Sequence, residues 1–216
     1  MNDNKLAKYL VLDLETSGLK PDTNGIIQLA CIAVDRNLKE IATYATFVLP
    51  PEGTIYDATA DLIHGIKYEK LINEGLGYTD LCEEFLMFIK THFELPPIII
   101  GQFFPFEYNF INSLFDSTLG EDDRLYDSKS QSYGIFQKIV SRSFIDTKSL
   151  CTFINMKAEI DGNNPIFVTT SLSSPNGVKS VLGIDSSIYK AHDALGDCQA
   201  TLDVLQRITN KTNILF

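Results

Sequence analysis

The sequence predicts an α/β fold in which helices flank a mixed sheet that contains an antiparallel hairpin. Two apolar segments at 25–35 and 40–50 are joined by the short polar link RNLK, which is typical of a hairpin. The short run PPIIIG at 96–101 is fully apolar, as parallel strands buried on both faces are. Amphipathic helical patterns alternate with the later strands, so the helices are expected to pack on the sheet.

The remaining elements follow in chain order. Residues 9–14 are predicted to form the first strand, and residues 143–154 a strand that turns into a helix; helices are predicted at 58–66, 79–93, 106–119 and 191–208. Thr79 is the expected cap of the second helix. Residues 116–134 are predicted to be a loop or insertion, and residues 155–177 an irregular segment with IFVTT as a possible strand.

Composition limits the classes of function. A formal net charge of −10 argues against a broad basic surface for phosphate, although bound cations could neutralise the acids locally. No apolar run could span a bilayer, and the N-terminal MNDNKLAK has no signal-peptide core, so a soluble cytoplasmic protein without membrane contact is expected. The four scattered cysteines (31, 82, 151 and 198) are expected to be buried thiols rather than a zinc site.

Two acids at the end of the first strand are the first candidate site. Side chains alternate along a strand, so Asp13 and Glu15 share one face while three leucines take the other. The simpler interpretation is that the strand surfaces there and water solvates both acids. In sheets of this kind, however, sites form at the carboxyl ends of strands, which is where this pair lies.

Three further residues could complete the site. Asp197 is predicted at the edge of the buried face of the last helix, where a carboxylate needs a cation or a hydrogen-bond donor. His192 precedes Asp197 by five residues, and Glu107 follows the buried strand at 98–100. Each has an ordinary alternative: a backbone hydrogen bond for Asp197, a structural role for His192, and the start of a helix for Glu107.

Taken together, these motifs resemble the DEDDh branch of the 3′→5′ exonucleases, also called the DnaQ-like family. The Asp-x-Glu motif is matched by Asp13 and Glu15, and the His-x₄-Asp motif by His192 and Asp197. LIHGI at 62–66 and IDTKSL at 145–150 resemble two further family segments, so that the likeness covers about 8–208. The middle motif departs from the pattern: Gln102 and Phe103 replace a His-Asn pair, and Glu107 replaces an Asp.

The resemblance implies a five-stranded RNase H-like fold, a single exonuclease domain over 1–216 and two Mg²⁺ or Mn²⁺ ions. Asp13, Glu15, Glu107 and Asp197 would hold the metals, and His192 would be the general base. The substrate would be the 3′ end of single-stranded DNA or RNA, with DNA favoured, and the products nucleoside monophosphates. The residues implied to bind the substrate are Thr16, Ser17, Gly18, Leu19, His64, Gly65, Ile66 and Phe103.

Other interpretations and partners stay open. The departures in the middle motif would suit a weak or inactive nuclease-like module that binds nucleic acid or a polymerase. A metal phosphoesterase acting on small molecules is a further alternative. A polymerase or another replication or repair protein is a candidate partner, and the oligomeric state is undetermined.

Overall fold

A five-stranded mixed sheet forms the centre of the protein in this computed structural model, which describes residues 7–119 and 134–210. The strands are β1 (Tyr9–Thr16), β2 (Ile26–Val34), β3 (Glu40–Phe47), β4 (Ile98–Gly101) and β5 (Phe144–Asp146). Their order is β3-β2-β1-β4-β5. The first three pair antiparallel, whereas β4 and β5 continue parallel from β1. The predicted mixed sheet and its hairpin are confirmed.

Helices cover both faces of this sheet. They are α1 (Ala58–His64), α2 (Tyr68–Glu74), α3 (Tyr78–His92), α4 (Pro105–Leu119), α5 (Ile135–Ile139), α6 (Thr147–Ile160), α7 (Val178–Leu182) and α8 (Ala194–Asn210), with a 3-10 turn at Ser186–Ile188. On one face, α3, α4 and α5 share a core with Leu10, Leu12 and Leu14 of β1. On the other face, α8 packs against Val11 and its neighbours in β2 and β4.

This alternation determines where the acids lie. Val11 points towards α8, so Asp13 and Glu15, at steps of two, lie on the same face. β1 is the central strand and Asp13 is paired with Ala30 of β2, so the backbone under the acids is held firmly. The predicted separation of acids and leucines onto opposite faces is confirmed.

Several local predictions were wrong. Thr79 does not cap α3, because Gly77 occupies the N-cap position and no side chain caps the helix. IFVTT at 166–170 contains no strand; this stretch follows α6, and no strand pairs with it among the described residues. The last helix begins at Ala194, three residues later than predicted. The predicted loop at 116–134 lies largely outside the described residues, and its first four residues belong to α4.

The four cysteines are buried free thiols, as predicted. Burial raises the pKa of Cys82 to about 11 and that of Cys151 to about 12, so both stay protonated near neutrality. Within the described ranges 7–119 and 134–210, no helix is long and apolar enough to cross a membrane.

Candidate active site

The predicted acids and histidine converge at the carboxyl end of β1. Glu15 from β1 and Asp197 from the first turn of α8 place carboxylate oxygens within 4.8 Å of each other and of a ring nitrogen of His192. Asp13 lies two residues before Glu15 and lines the same cleft as His192 and Asp197. The chain thus brings together residues about 180 positions apart.

The acids repel one another strongly. Burial raises the pKa of Asp13 well above its ordinary value, and the charges of Glu107, Asp197 and Glu15 raise it further. Burial and Asp197 raise the pKa of Glu15 to about 8. The pKa of Asp197 is also raised, chiefly by burial, although His192 acts in the opposite direction. A bound cation would relieve this repulsion.

Glu107 approaches the cluster from the other face of the sheet. It lies in the first turn of α4, just past the end of β4, and only 5% of its surface is exposed. Burial and the nearby Asp146 raise its pKa to about 8. Its Oε2 atom is buried and has no hydrogen-bond partner among the described residues. A buried carboxylate oxygen without a donor fits a hard divalent cation, so the residues present suit the predicted metals.

His192 is held at the cluster by its backbone. Its φ of 56° is left-handed, which is uncommon for a residue other than glycine and is frequent at functional sites. The backbone N–H of His192 donates to Oδ2 of Asp197 at 3.2 Å. Asp197 therefore fixes the turn that carries the histidine as well as lying in the acid cluster.

Gln28 is a positioning residue that the sequence analysis missed. It is buried in β2, directly opposite Glu15. Its Nε2 donates to Asp193 at 3.2 Å, and its Oε1 accepts from the N–H of Ala194 at 3.1 Å. The start of α8, and with it the His192 turn, is thereby tied to the sheet. The available signal was a single amide in the otherwise apolar strand IIQLACIAV.

Asp146, at the end of β5, lies in the predicted IDTKSL segment, but the sequence analysis assigned it no role. Its two carboxylate oxygens accept from the N–H of Phe104 at 3.0 Å and from the N–H of Ser149 at 2.8 Å. The first bond braces the turn that leads into α4, and the second caps α6. Asp146 thus orients the two helices that border the site.

A cleft of about 470 Å³, here called the His64 cleft, opens beside Glu15. Its walls are mainly apolar and include Leu19, Ile63 and Phe106. Nδ1 of His64 accepts from the N–H of Ile66 at 2.9 Å, so a proton on the neutral ring sits on Nε2. That Nε2 is buried and has no hydrogen-bond partner in the described residues. Burial lowers the pKa of His64, which favours this neutral donor.

The structure places the predicted substrate residues unequally. Thr16, Gly18, Leu19 and His64 line the His64 cleft. Ser17, Gly65 and Ile66 are not part of its lining, and Ile63 occupies the wall instead. The Ser17 hydroxyl donates to the carbonyl of Ile55 and accepts from the N–H of Gly25, so it is structural. A Cβ at Gly18 would lie 2.2 Å from the Asp57 carboxylate and 2.4 Å from the Asn24 amide, so both side chains would have to move.

A second cleft of about 340 Å³, the Lys148 cleft, lies on the other side of the acids. It contains Asp13, His192 and Asp197, together with Gln102, Phe103, Lys148 and the hydroxyl-rich segment 169–173. Two of the three residues that depart from the family pattern, Gln102 and Phe103, are therefore in its wall. Gln102 donates to the carbonyl of Thr170 at 2.8 Å and accepts from the Thr147 hydroxyl, which joins the segment to β4 and α6.

Comparison with known proteins agrees with this arrangement. Residues 10–99 match the RNase_T family model, described as an exonuclease. The predicted resemblance to the exonuclease family is confirmed. This exonuclease match includes Asp13, Glu15 and His64, whereas Glu107, His192 and Asp197 lie beyond it. No curated protein matches the chain significantly.

Solved exonuclease structures share the fold. Escherichia coli exonuclease I in complex with a dT13 oligonucleotide aligns with a TM-score of 0.73 at 20% identity, over 97% of this chain and 42% of its own. The zinc-bound form of its complex with single-stranded DNA aligns with a TM-score of 0.71 at 18% identity, over 97% of this chain and 42% of its own. Exonuclease I from Methylocaldum szegediense aligns with a TM-score of 0.66 at 19% identity, over 95% of this chain and 41% of its own. The RNase H-like fold is thus confirmed, and the chain spans about two fifths of these relatives.

Proposed function

We propose that this protein is a metal-dependent 3′→5′ exonuclease that removes nucleoside monophosphates from single-stranded nucleic acid, with DNA favoured. The observation that carries the proposal is the convergence of Glu15, His192 and Asp197 within 4.8 Å, next to Asp13. The oligonucleotides in the exonuclease I structures support a single-stranded substrate.

Asp13, Glu15, Glu107 and Asp197 would hold Mg²⁺ or Mn²⁺, the hard cations that prefer carboxylate oxygens. Two such ions, when bound, neutralise the acids and the scissile phosphate and favour ionisation of the attacking water. The protein's part is positioning: β1 and α8 present their carboxylates from rigid elements on one side, and α4 presents Glu107 from the other.

His192 would act as the general base. Its neutral ring takes a proton from water, the water oxygen bonds to phosphorus, and the bond from phosphorus to the 3′ oxygen of the penultimate nucleotide breaks. The leaving 3′ oxygen takes a proton from solvent, and the protonated ring of His192 releases its own proton to solvent, so that atoms and charge balance. The hydrogen bond from the backbone N–H of His192 to Asp197 keeps the ring beside the acids during this step.

The His64 cleft would take the terminal nucleoside. Leu19, Ile63 and Phe106 offer apolar surface to a base of any identity. The Nε2–H of His64, which lies 3.8 Å from Oδ1 of Asp61 but makes no hydrogen bond among the described residues, would donate to an oxygen of that nucleotide. Phe103, half exposed on the opposite side of the acids, would contact the strand further along.

The experiment is digestion of a 5′-labelled single-stranded DNA and its RNA counterpart, with Mg²⁺ or Mn²⁺ and with Asp13→Ala alongside. A ladder that shortens from the 3′ end and is absent in the variant is expected. Full activity of Asp13→Ala would contradict the metal assignment. Absence of a ladder with both polymers and both metals would favour a nucleic-acid-binding module. Cleavage of a dinucleotide alone would favour a phosphoesterase for small molecules.

The remaining expectations are part of the same proposal. A single exonuclease domain over the motif-bearing residues is part of the proposal; in its support, the strands between 9 and 146 form one sheet and the helices as far as 210 pack around it. A polymerase or repair partner and a cytoplasmic location stay predictions, and co-purification and cell fractionation would test them.

A further inference from the structure

Lys148 is the unexplained charge of the site. It lines the cleft that contains Asp13, His192 and Asp197, and its side chain is exposed. Two other lysines influence the acids, but Lys179 is buried and Lys190 is ion-paired with Asp193. Within the described part of the chain, Lys148 forms no ion pair, and its ammonium lies 4.1 Å from the centre of the Phe103 ring.

The position of Lys148 is costly for the helix that carries it. It is the second residue of α6, where the helix dipole disfavours a positive charge. The contact with Phe103 compensates through a cation–π interaction and directs the ammonium into the cleft. Phe103 itself has a left-handed φ of 66°, and the bond from the Phe104 N–H to Asp146 braces this turn. Lysine and ring are therefore held together by a turn that is strained for a phenylalanine.

The two clefts assign Lys148 to a particular part of the substrate. Glu15 lines the His64 cleft, whereas Asp13, His192 and Asp197 line the Lys148 cleft, so the acids lie between the two. A terminal nucleoside in the His64 cleft would put the scissile phosphate at the acids. The next nucleotide would then lie over the Lys148 cleft. We propose that Lys148, positioned by Phe103, binds the backbone phosphate next to the scissile one.

Charge supports this assignment. The chain has a formal net charge of −10, and its site is acidic. The proposed metal ions would neutralise the scissile phosphate, so the neighbouring phosphate needs a cation from the protein itself. The hydroxyls of Thr169, Thr170 and Ser171, which line the same cleft, are further donors for a phosphate. This inference rests on the proposed exonuclease function and names the subsite for its penultimate nucleotide.

The test compares Lys148→Gln with the wild type on a dinucleotide, which has only the scissile phosphodiester, and on the matching trinucleotide, which has two. We expect an unchanged kcat/KM on the dinucleotide and a loss of about tenfold on the trinucleotide, in KM rather than kcat. On a longer oligonucleotide, the slope of log kcat/KM against log salt should weaken by about 0.7. Lys90→Gln, an exposed lysine on α3, removes the same charge far from the cleft and should change nothing.

Phe103→Leu tests the positioning. It keeps an apolar side chain but removes the ring, so it should reproduce part of the trinucleotide defect, and the double variant should be no worse than Lys148→Gln alone. Equal loss on both substrates would place Lys148 at the scissile phosphate and overturn the inference, as would no loss on either. If the wild type degrades neither these substrates nor the longer oligonucleotide, the proposed function itself fails. If it degrades only the longer one, the salt slope of Lys148→Gln decides. Thermal melting of each variant checks that it is folded.

Discussion

The two clefts on either side of the acids differ in character, although they share one catalytic cluster. The His64 cleft is apolar, with Leu19, Ile63 and Phe106 in its walls. The Lys148 cleft carries a cation, hydroxyls and an amide. An apolar surface can pack against a base, whereas hydroxyls and an ammonium can donate hydrogen bonds to a phosphate backbone. Under the proposed function, the site would hold the terminal nucleoside by its base and the rest of the strand by its charge.

Asp13→Asn should have the largest effect, because it removes a charge from the cluster that both clefts share. Hydrolysis is expected to fall at least about 10³-fold. The metal-free variant should melt higher than the wild type, by about 2–4 °C for each kcal/mol of repulsion relieved, because the carboxylate is buried among three like charges. Scanning calorimetry with and without Mg²⁺ measures this, and the metal should stabilise only the wild type.

A matched control is Asp22→Asn, an exposed acid on the loop after β1. It should change neither hydrolysis nor melting. A metal-free Asp13→Asn protein that melts lower than the wild type would contradict the account of repulsion among the acids.

Gln28→Leu should have the second largest effect, through the His192 turn. It leaves the buried N–H of Ala194 without its acceptor, which costs about 1–3 kcal/mol of folding free energy. Displacement of His192 and Asp197 should lower kcat about 10²-fold with little change in KM. Steady-state kinetics and urea unfolding measure the two effects.

Gln206→Leu is its control, because Gln206 also ties α8 to the rest of the protein, by donating to the carbonyl of Leu38. That bond lies at the other end of the helix. An equal loss of kcat in Gln206→Leu would mean that docking of α8 in general, rather than Gln28, positions the histidine.

Leu19→Ala tests whether the terminal base binds in the His64 cleft rather than in the Lys148 cleft. Removing this wall of the His64 cleft should raise KM about fivefold on dinucleotide and trinucleotide alike, because both present the same terminal base. Leu62→Ala is the control, since Leu62 is 87% exposed and lines neither cleft. A defect confined to the trinucleotide would reverse the assignment of the clefts.

Glu107→Asp should have the smallest effect, and activity should stay the same or rise. The shorter acid restores the usual residue of the family motif at a site where the carboxylate already lies close to Asp13. Glu107→Gln, of the same length but without the charge, should lose activity. Complete loss in Glu107→Asp would show that the longer side chain has its own required geometry.

The sequence predicted what periodicity and motif order encode. The alternation of Asp13 and Glu15 with leucines predicted that both acids lie on one face of the sheet. The spacing from His192 to Asp197 indicated the other half of the cluster. Gln28 and Lys148 were missed because their roles depend on pairing between distant elements. Ile66 was preferred to Ile63 by motif likeness, whereas the left-handed Gly65 ends α1 and leaves Ile63 in the wall.

The distance along the chain between Glu15 and Asp197 has a consequence for biosynthesis. A ribosome makes β1 long before α8, so a nascent chain carries Asp13 and Glu15 well before His192 and Asp197 exist. The central strand must also wait for α8 to cover its acidic face. For the proposed hydrolysis, the cluster is therefore incomplete until α8 has emerged, and a chain terminated before α8 is expected to be inert towards nucleic acids.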